Sequence, residues 1–192
     1  GEVPLDAKPA WLTGTVTVKA CTHTGEGVCT YTHNENTSTH TKTCLACGQT
    51  LGTENCTYTF SGTTGTCAAC RDSVTVAVSG TENLVYDGTG KEPGVTVTRG
   101  ETALTAGTDY TVAYTDNKNA GENKATVAVT IGNGQGTYTG NFSIGKATLY
   151  VAPNSQTIRY GESIREGANA ILTRGLATGD HVVGVTLTPD TK

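Results

Sequence analysis

The sequence predicts an all-β protein, with a small Cys/His-rich β-hairpin unit, then a β-sandwich or barrel, then a partial second β module. Three observations carry this. Short runs such as "VTVAVSG", "DYTVAYT" and "ATVAVTI" alternate with a period of two, between Gly-, Asn- and Asp-rich turns. No stretch has a convincing helical apolar stripe, the nearest being "ESIREGANAIL" at 162–172, where Ile164, Ala168 and Ile171 are suitably spaced but Gly167 interrupts. All seven Cys and three of the four His lie between Cys21 and Cys70.

That last asymmetry is the sharpest break in composition, and it sets the expected organisation. Residues 1–72 form a Cys/His-rich metal-binding β unit, 73–146 a β-sandwich repeat and 147–192 a partial β module. Within the first part, "WLTGTVTVKA" at 11–20 alternates like a strand. An internal echo follows: "CTYTHNENTSTHTKTCLAC" from Cys29 and "CTYTFSGTTGTCAAC" from Cys56 each run from Cys-Thr-Tyr-Thr through a polar loop to Cys-x-x-Cys. In the second part Val74, Val76 and Val78 share a face, as do Val95 and Val97, then Tyr110, Val112 and Tyr114, then Ala125, Val127, Val129 and Ile131. At Ala147 the pattern of the preceding repeat restarts with "ATLYVAPNSQTIRYGESI".

Composition narrows the function. Large apolar residues are scarce, with two Phe, one Trp and no Met in 192 residues, so the chain builds small cores that need cross-links, metal or neighbours. A formal charge of −4 without a basic run excludes a phosphate-tracking surface, hence nucleic acid as partner. No apolar run reaches the ~20 residues of a membrane span. The chain starts without Met and its last module reads as cut, so it is expected to be a segment of a longer protein, and a monomer.

Seven Cys cannot all pair within a monomer. Two Cys-x-x-Cys pairs, Cys44/Cys47 and Cys67/Cys70, have metal-knuckle spacing, because a tight turn lets both sulfurs face one point. Each pair needs two further donors. Cys21 and His23, alternate residues on one side of an extended segment, are suited to one site; His40 and Cys56 are suited to help complete the other; Cys29 and His33 are alternates. Spacing leaves open which donors join which pair. The expectation is one or two structural Zn2+ ions, with disulfide stapling as the competing account. A catalytic zinc motif of the His-Glu-x-x-His type is lacking, Glu26, Glu35 and Glu54 read as solvated acids, and no Ser sits in a nucleophile elbow, so an enzyme is not expected. The tyrosines Tyr86, Tyr110, Tyr114, Tyr138, Tyr150 and Tyr160 read as plugs of small cores, with a glycan-stacking platform as the alternative.

Residues Ser73 to about Ala147 resemble a repeat common in large surface proteins of Gram-positive gut bacteria. The resemblance rests on Tyr86-Asp87-Gly88, Pro93, "GTDYTVAY" from Gly107, Asn119 to Gly121 and "GTYTGNFSI" from Gly136. It implies an immunoglobulin-like β-sandwich used in tandem. From Ala147 the chain resembles the first half of a related YDG or MBG domain, through Tyr160-Gly161 and the Gly175-Leu176-Ala177-Thr178-Gly179-Asp180 landmark. Residues 21–70 look like the Cys/His-rich inserts found beside such modules. The resemblance implies an extracellular protein, attached to the cell surface or secreted, that serves as a structural stalk or in adhesion. Its expected partners are a glycan or a host or bacterial surface protein; an accessory region of a secreted enzyme is a further alternative.

Overall fold

The computed structural model describes residues 21, 23 and 28–188. The alternating run at 11–20, and Glu26, lie outside the described residues. The protein is all-β, built from antiparallel sheets. The first is three-stranded: β1 (Cys29–His33), β2 (Thr39–Cys44) and β3 (Thr50–Asn55). Asn34 closes the β1–β2 turn by donating from Nδ2 to Thr39 Oγ1 (2.9 Å) and accepting at Oδ1 from Thr41 Oγ1 (2.7 Å). Asn36 there takes φ 60°, a left-handed conformation that Asn tolerates.

The second sheet is five-stranded, in the order β4 (Tyr58–Ser61), β5 (Thr64–Cys67), β6 (Ser73–Ser79), β7 (Gly94–Arg99) and β8 (Thr102–Ala103). The third holds β9 (Tyr110–Thr115), β10 (Gly121–Ile131) and β11 (Gly136–Ile144), with β10 central. These two sheets share one core and so form a sandwich. Val74, Val76 and Val97 come from one sheet, and Tyr110, Ala125, Val127, Val129, Ile131, Phe142 and Ile144 from the other. The valine and isoleucine alternation read from the sequence is the buried face, because period-two spacing places every second side chain on one side of a strand.

The sandwich core does not begin at residue 73. β5 pairs with β6, Thr64 opposite Thr75 and Thr66 opposite Ser73, and Cys56, Tyr58 and Cys67 belong to the same buried cluster. The compositional break at residue 72 therefore falls within a continuous sheet. Partly buried polar contacts centred on Arg99 and Ser38 tie the first sheet to the sandwich. The Arg99 guanidinium donates to Asp72 Oδ2 (3.1 Å), to Ser38 Oγ (2.8 Å) and to Tyr58 Oη (3.2 Å). Tyr58 in turn donates to Asp72 Oδ2 (2.5 Å), and Gln135 Nε2 donates to the Ser38 carbonyl (2.8 Å). Removing one partner of such a buried pair costs about 3–5 kcal/mol, because the other charge is left uncompensated.

The last sheet has two strands, β12 (Tyr150–Pro153) and β13 (Ile171–Arg174). The 162–172 stripe does not form a helix. It contains only a 3-10 turn at Ala168–Ala170, preceded by Gly167 at φ 88°, and Ile171 already belongs to β13. Tyr86, Tyr110, Tyr114 and Tyr138 pack on the sandwich core as expected, whereas Tyr150 and Tyr160 are exposed and plug nothing. Tyr86 Oη donates to Asp180 Oδ1 (2.9 Å), and the Thr178 amide donates to the Asp87 carbonyl (3.0 Å), linking the two-stranded sheet to the sandwich.

The approach of β4 to β11 leaves no room for a side chain at Gly136. A Cβ there would sit 2.5 Å from the Tyr58 carbonyl oxygen and 2.9 Å from Tyr58 Cβ. Gly136→Ala is expected to destabilise the protein by about 1–3 kcal/mol by forcing the two sheets apart. The check is the midpoint of chemical denaturation, and an unchanged midpoint would contradict this packing.

Candidate metal centres

The two Cys-x-x-Cys turns are built alike. In the first, the Cys44 amide donates to the Gln49 carbonyl (2.9 Å) and the Gly48 amide to the Cys44 carbonyl (2.9 Å). In the second, the Cys67 amide donates to the Asp72 carbonyl (2.8 Å) and the Arg71 amide to the Cys67 carbonyl (2.9 Å). The residue after the second Cys is left-handed in both, Gly48 at φ 71° and Arg71 at φ 67°. This geometry folds the backbone around the first sulfur. The amides of Cys47 and Ala46 point at Cys44, and those of Cys70, Ala69 and Thr57 at Cys67.

Each turn meets two donors from elsewhere. Cys21, His23, Cys44 and Cys47 form one cluster, and His40, Cys56, Cys67 and Cys70 form the other. All eight residues singled out in the sequence are thus brought together, four and four. The division that spacing left open is settled by the strands. β2 presents His40 at one end and Cys44 at the other, so a single strand serves both clusters. Cys29 lies opposite Cys44 across β1–β2 but belongs to neither cluster. His33 joins neither four-donor set and instead lies near Cys56 and Asp72.

The distances fit a shared ion and not a covalent bond. All seven cysteines are free. Cys21 Sγ is 3.2 Å from Cys44 Sγ, and Cys56 Sγ is 3.5 Å from Cys70 Sγ, against about 2.05 Å for a disulfide. Sulfur-to-nitrogen separations are 3.5 Å for Cys21–His23, 3.9 Å for Cys47–His23, 3.5 Å for Cys56–His40 and 3.8 Å for Cys67–His40. Tetrahedral bonds of about 2.3 Å to sulfur and 2.05 Å to nitrogen give edges of about 3.7 Å (S–S) and 3.5 Å (S–N). Each cluster could therefore hold a metal ion through four protein donors.

Electrostatics prepare the sulfurs unequally. The Cys44 thiol falls to about 6, through hydrogen bonds from the Cys21 thiol and His23 and then the Cys47 and Ala46 amides. Burial works to raise Cys67, but the Cys70 amide and thiol and the Ala69 and Thr57 amides outweigh it and bring this thiol to about 6 as well. Cys56 goes the other way: burial and the neighbouring Cys70 and Cys67 sulfurs push it up strongly. Without a cation these sulfurs cannot all ionise together, and a bound divalent ion reverses the sign of that interaction.

The centres also differ in depth. His40, Cys56 and Cys67 are buried and Cys70 is half-buried, whereas in the other cluster only Cys44 is buried and Cys47 is exposed. The buried centre has an outer partner that spacing did not reveal. His40 turns Nδ1 to the sulfurs, and its Nε2 lies 3.6 Å from Glu54 Oε2. Glu54 is itself held by Lys42 (3.2 Å). Glu54 is therefore not simply a solvated acid; it faces the far nitrogen of a candidate ligand, the place of an outer carboxylate that would orient a metal-bound histidine. The signal missing from the sequence was β2–β3 register, which places Glu54 directly opposite His40. Glu35 is exposed as read.

Comparison with protein-family models, with curated proteins and with solved structures finds no match to this chain.

Two substitutions test this geometry. Glu54→Gln is expected to weaken metal retention at the buried centre by about 10–100-fold, measured by competition with a chromophoric chelator. Arg71→Gly is expected to stabilise the metal-loaded protein by about 1 kcal/mol, because Arg71 is exposed and pays for a left-handed backbone that Gly48 adopts freely in the other turn. Thermal denaturation of the two proteins side by side reads the sign.

Proposed function

We propose that this chain is a non-catalytic structural segment of a bacterial cell-surface or secreted protein, in which two structural Zn2+ ions replace a hydrophobic core in the first third of the chain. The observation that carries the metal part is the assembly of two complete four-donor sets from six of the seven unpaired thiols and two imidazoles. Thiolate-rich sets with four protein donors suit structural zinc, which contributes folding energy directly. Soft sulfur donors also weigh against Mg2+ and Ca2+, which prefer oxygen.

The stalk or presentation role is supported by composition, by tandem β-rich modules and by the resemblance to repeats of Gram-positive surface proteins. Four donors at each ion leave no open position for a reacting water, which favours a structural over a catalytic role. Ions at these positions would hold β1–β3 to the end of the sandwich and let the segment keep its shape outside the cell without disulfides.

A second reading, a binding module for a glycan or a surface protein, draws on the two-stranded sheet. Tyr150, Val151 and Leu172 there are all more than half exposed. A glycan array signal that disappears in Tyr150→Ala would favour this reading over the stalk.

Protein purified without added metal is expected to carry two zinc ions per chain by elemental analysis. Denaturation without reductant, in the presence of a chelator, should release seven reactive thiols. Chelation under native conditions should accelerate amide exchange across β1–β3 well before the β9–β11 sheet. About one thiol per denatured chain, with no metal, would replace this reading by oxidative stapling.

A further inference from the structure

His33 holds the only buried side-chain nitrogen or oxygen atoms without a hydrogen-bond partner among the described residues. Its Nδ1 and Nε2 are both enclosed, and neither finds one. A neutral imidazole carries one N–H that needs an acceptor and one lone pair that needs a donor, so leaving both unanswered is costly. The ring is not remote from polar groups. Nδ1 lies 3.7 Å from Asp72 Oδ2, and a ring nitrogen of His33, the Cys56 sulfur and a carboxylate oxygen of Asp72 all lie within 4.8 Å of one another. One nitrogen, one sulfur and one oxygen donor, from three different parts of the chain, border a single space.

We propose that His33, Cys56 and Asp72 form a third metal site, in which the Cys56 thiolate bridges the ion of the buried centre and a second ion held by His33 and Asp72. The proposal rests on the metal reading of the buried centre, since Cys56 is a donor there. A thiolate bound to one ion keeps lone pairs for another, so the bridge needs no additional cysteine. The mixed donor set selects a thiophilic divalent ion of the zinc and cadmium type and disfavours Mg2+ and Ca2+. Three protein donors leave a fourth tetrahedral position for water, unlike the two four-donor centres.

The surroundings set the order of filling. Tyr58 and Arg99 both donate to Asp72 Oδ2 (2.5 and 3.1 Å), which orients the carboxylate and offsets its charge. Arg99 also places a positive charge beside the incoming ion. The third ion therefore binds after the four-donor centres and more weakly. A direct pairing of His33 with Asp72 (3.7 Å), with no third ion, is the competing account, and stoichiometry separates the two.

The test is titration of the full chain with cadmium of an NMR-active isotope, followed by cadmium and proton NMR. The expected result is three cadmium resonances. The third appears only after the first two are filled, with an apparent Kd weaker by at least about tenfold, and the Cys56 β-protons couple to two cadmium nuclei. His33→Ala and Asp72→Asn each remove the third resonance while the first two remain and report an intact fold. Saturation at two ions overturns the proposal and leaves the reading of the four-donor centres standing, as does a third ion that survives both substitutions at unchanged affinity. A chain that binds no cadmium overturns both.

Discussion

Cys56 and Cys67 belong at once to the hydrophobic core of the sandwich and to a four-donor metal cluster, and the rest of the structure depends on this double membership. An aliphatic side chain in either place would bury surface and ask nothing more. The thiols there are in contact with other sulfurs, and they are set against each other: burial and its neighbours oppose ionisation of Cys56, whereas surrounding amides and the Cys70 thiol favour that of Cys67. The end of the sandwich is therefore closed by groups that could share a metal ion. Few large apolar residues are available to close it otherwise, with two Phe and one Trp in the chain.

The same constraint explains why the first sheet stays where it is. β1–β3 contributes His40 and Cys44 to the buried set of the core, but no Val, Ile, Leu or Phe. Its attachment is polar: His40 reaches the buried centre, Ser38 meets Arg99 and Gln135, and Cys56 donates its amide to the Ser38 carbonyl (2.9 Å). Candidate metal donors and partly buried hydrogen bonds take the place of an apolar interface. Such an attachment is geometrically specific, since each donor has one direction and one partner, whereas hydrophobic contact tolerates sliding.

The two centres are copies in local backbone and opposites in setting. Both turns aim amides at the leading sulfur, and both need a left-handed residue after the second Cys. One lies against the sandwich core, with Glu54 behind its histidine; the other lies near the surface with Cys47 exposed. The repeated Cys-Thr-Tyr-Thr…Cys-x-x-Cys pattern accounts for the likeness, and burial against the sandwich for the difference. Arg71, where the first turn has Gly48, holds a left-handed backbone that costs a side-chain-bearing residue more than glycine.

The sequence by itself determined what depends on local pattern: the all-β class, the buried alternation from Val74 to Ile131, and the eight candidate Cys and His donors, because strand periodicity and Cys-x-x-Cys spacing are short-range properties. At 162–172 it offered only a weak helical spacing interrupted by Gly167, and the structure has a 3-10 turn there, followed by pairing with Tyr150–Pro153. Only the tertiary structure decided which donors share a centre, that Glu54 backs His40, and that His33 lies beside Cys56 and Asp72. Those relations join residues up to 39 positions apart, from His33 to Asp72. Strand register and the packing of one sheet against another fix them, and no local spacing encodes either.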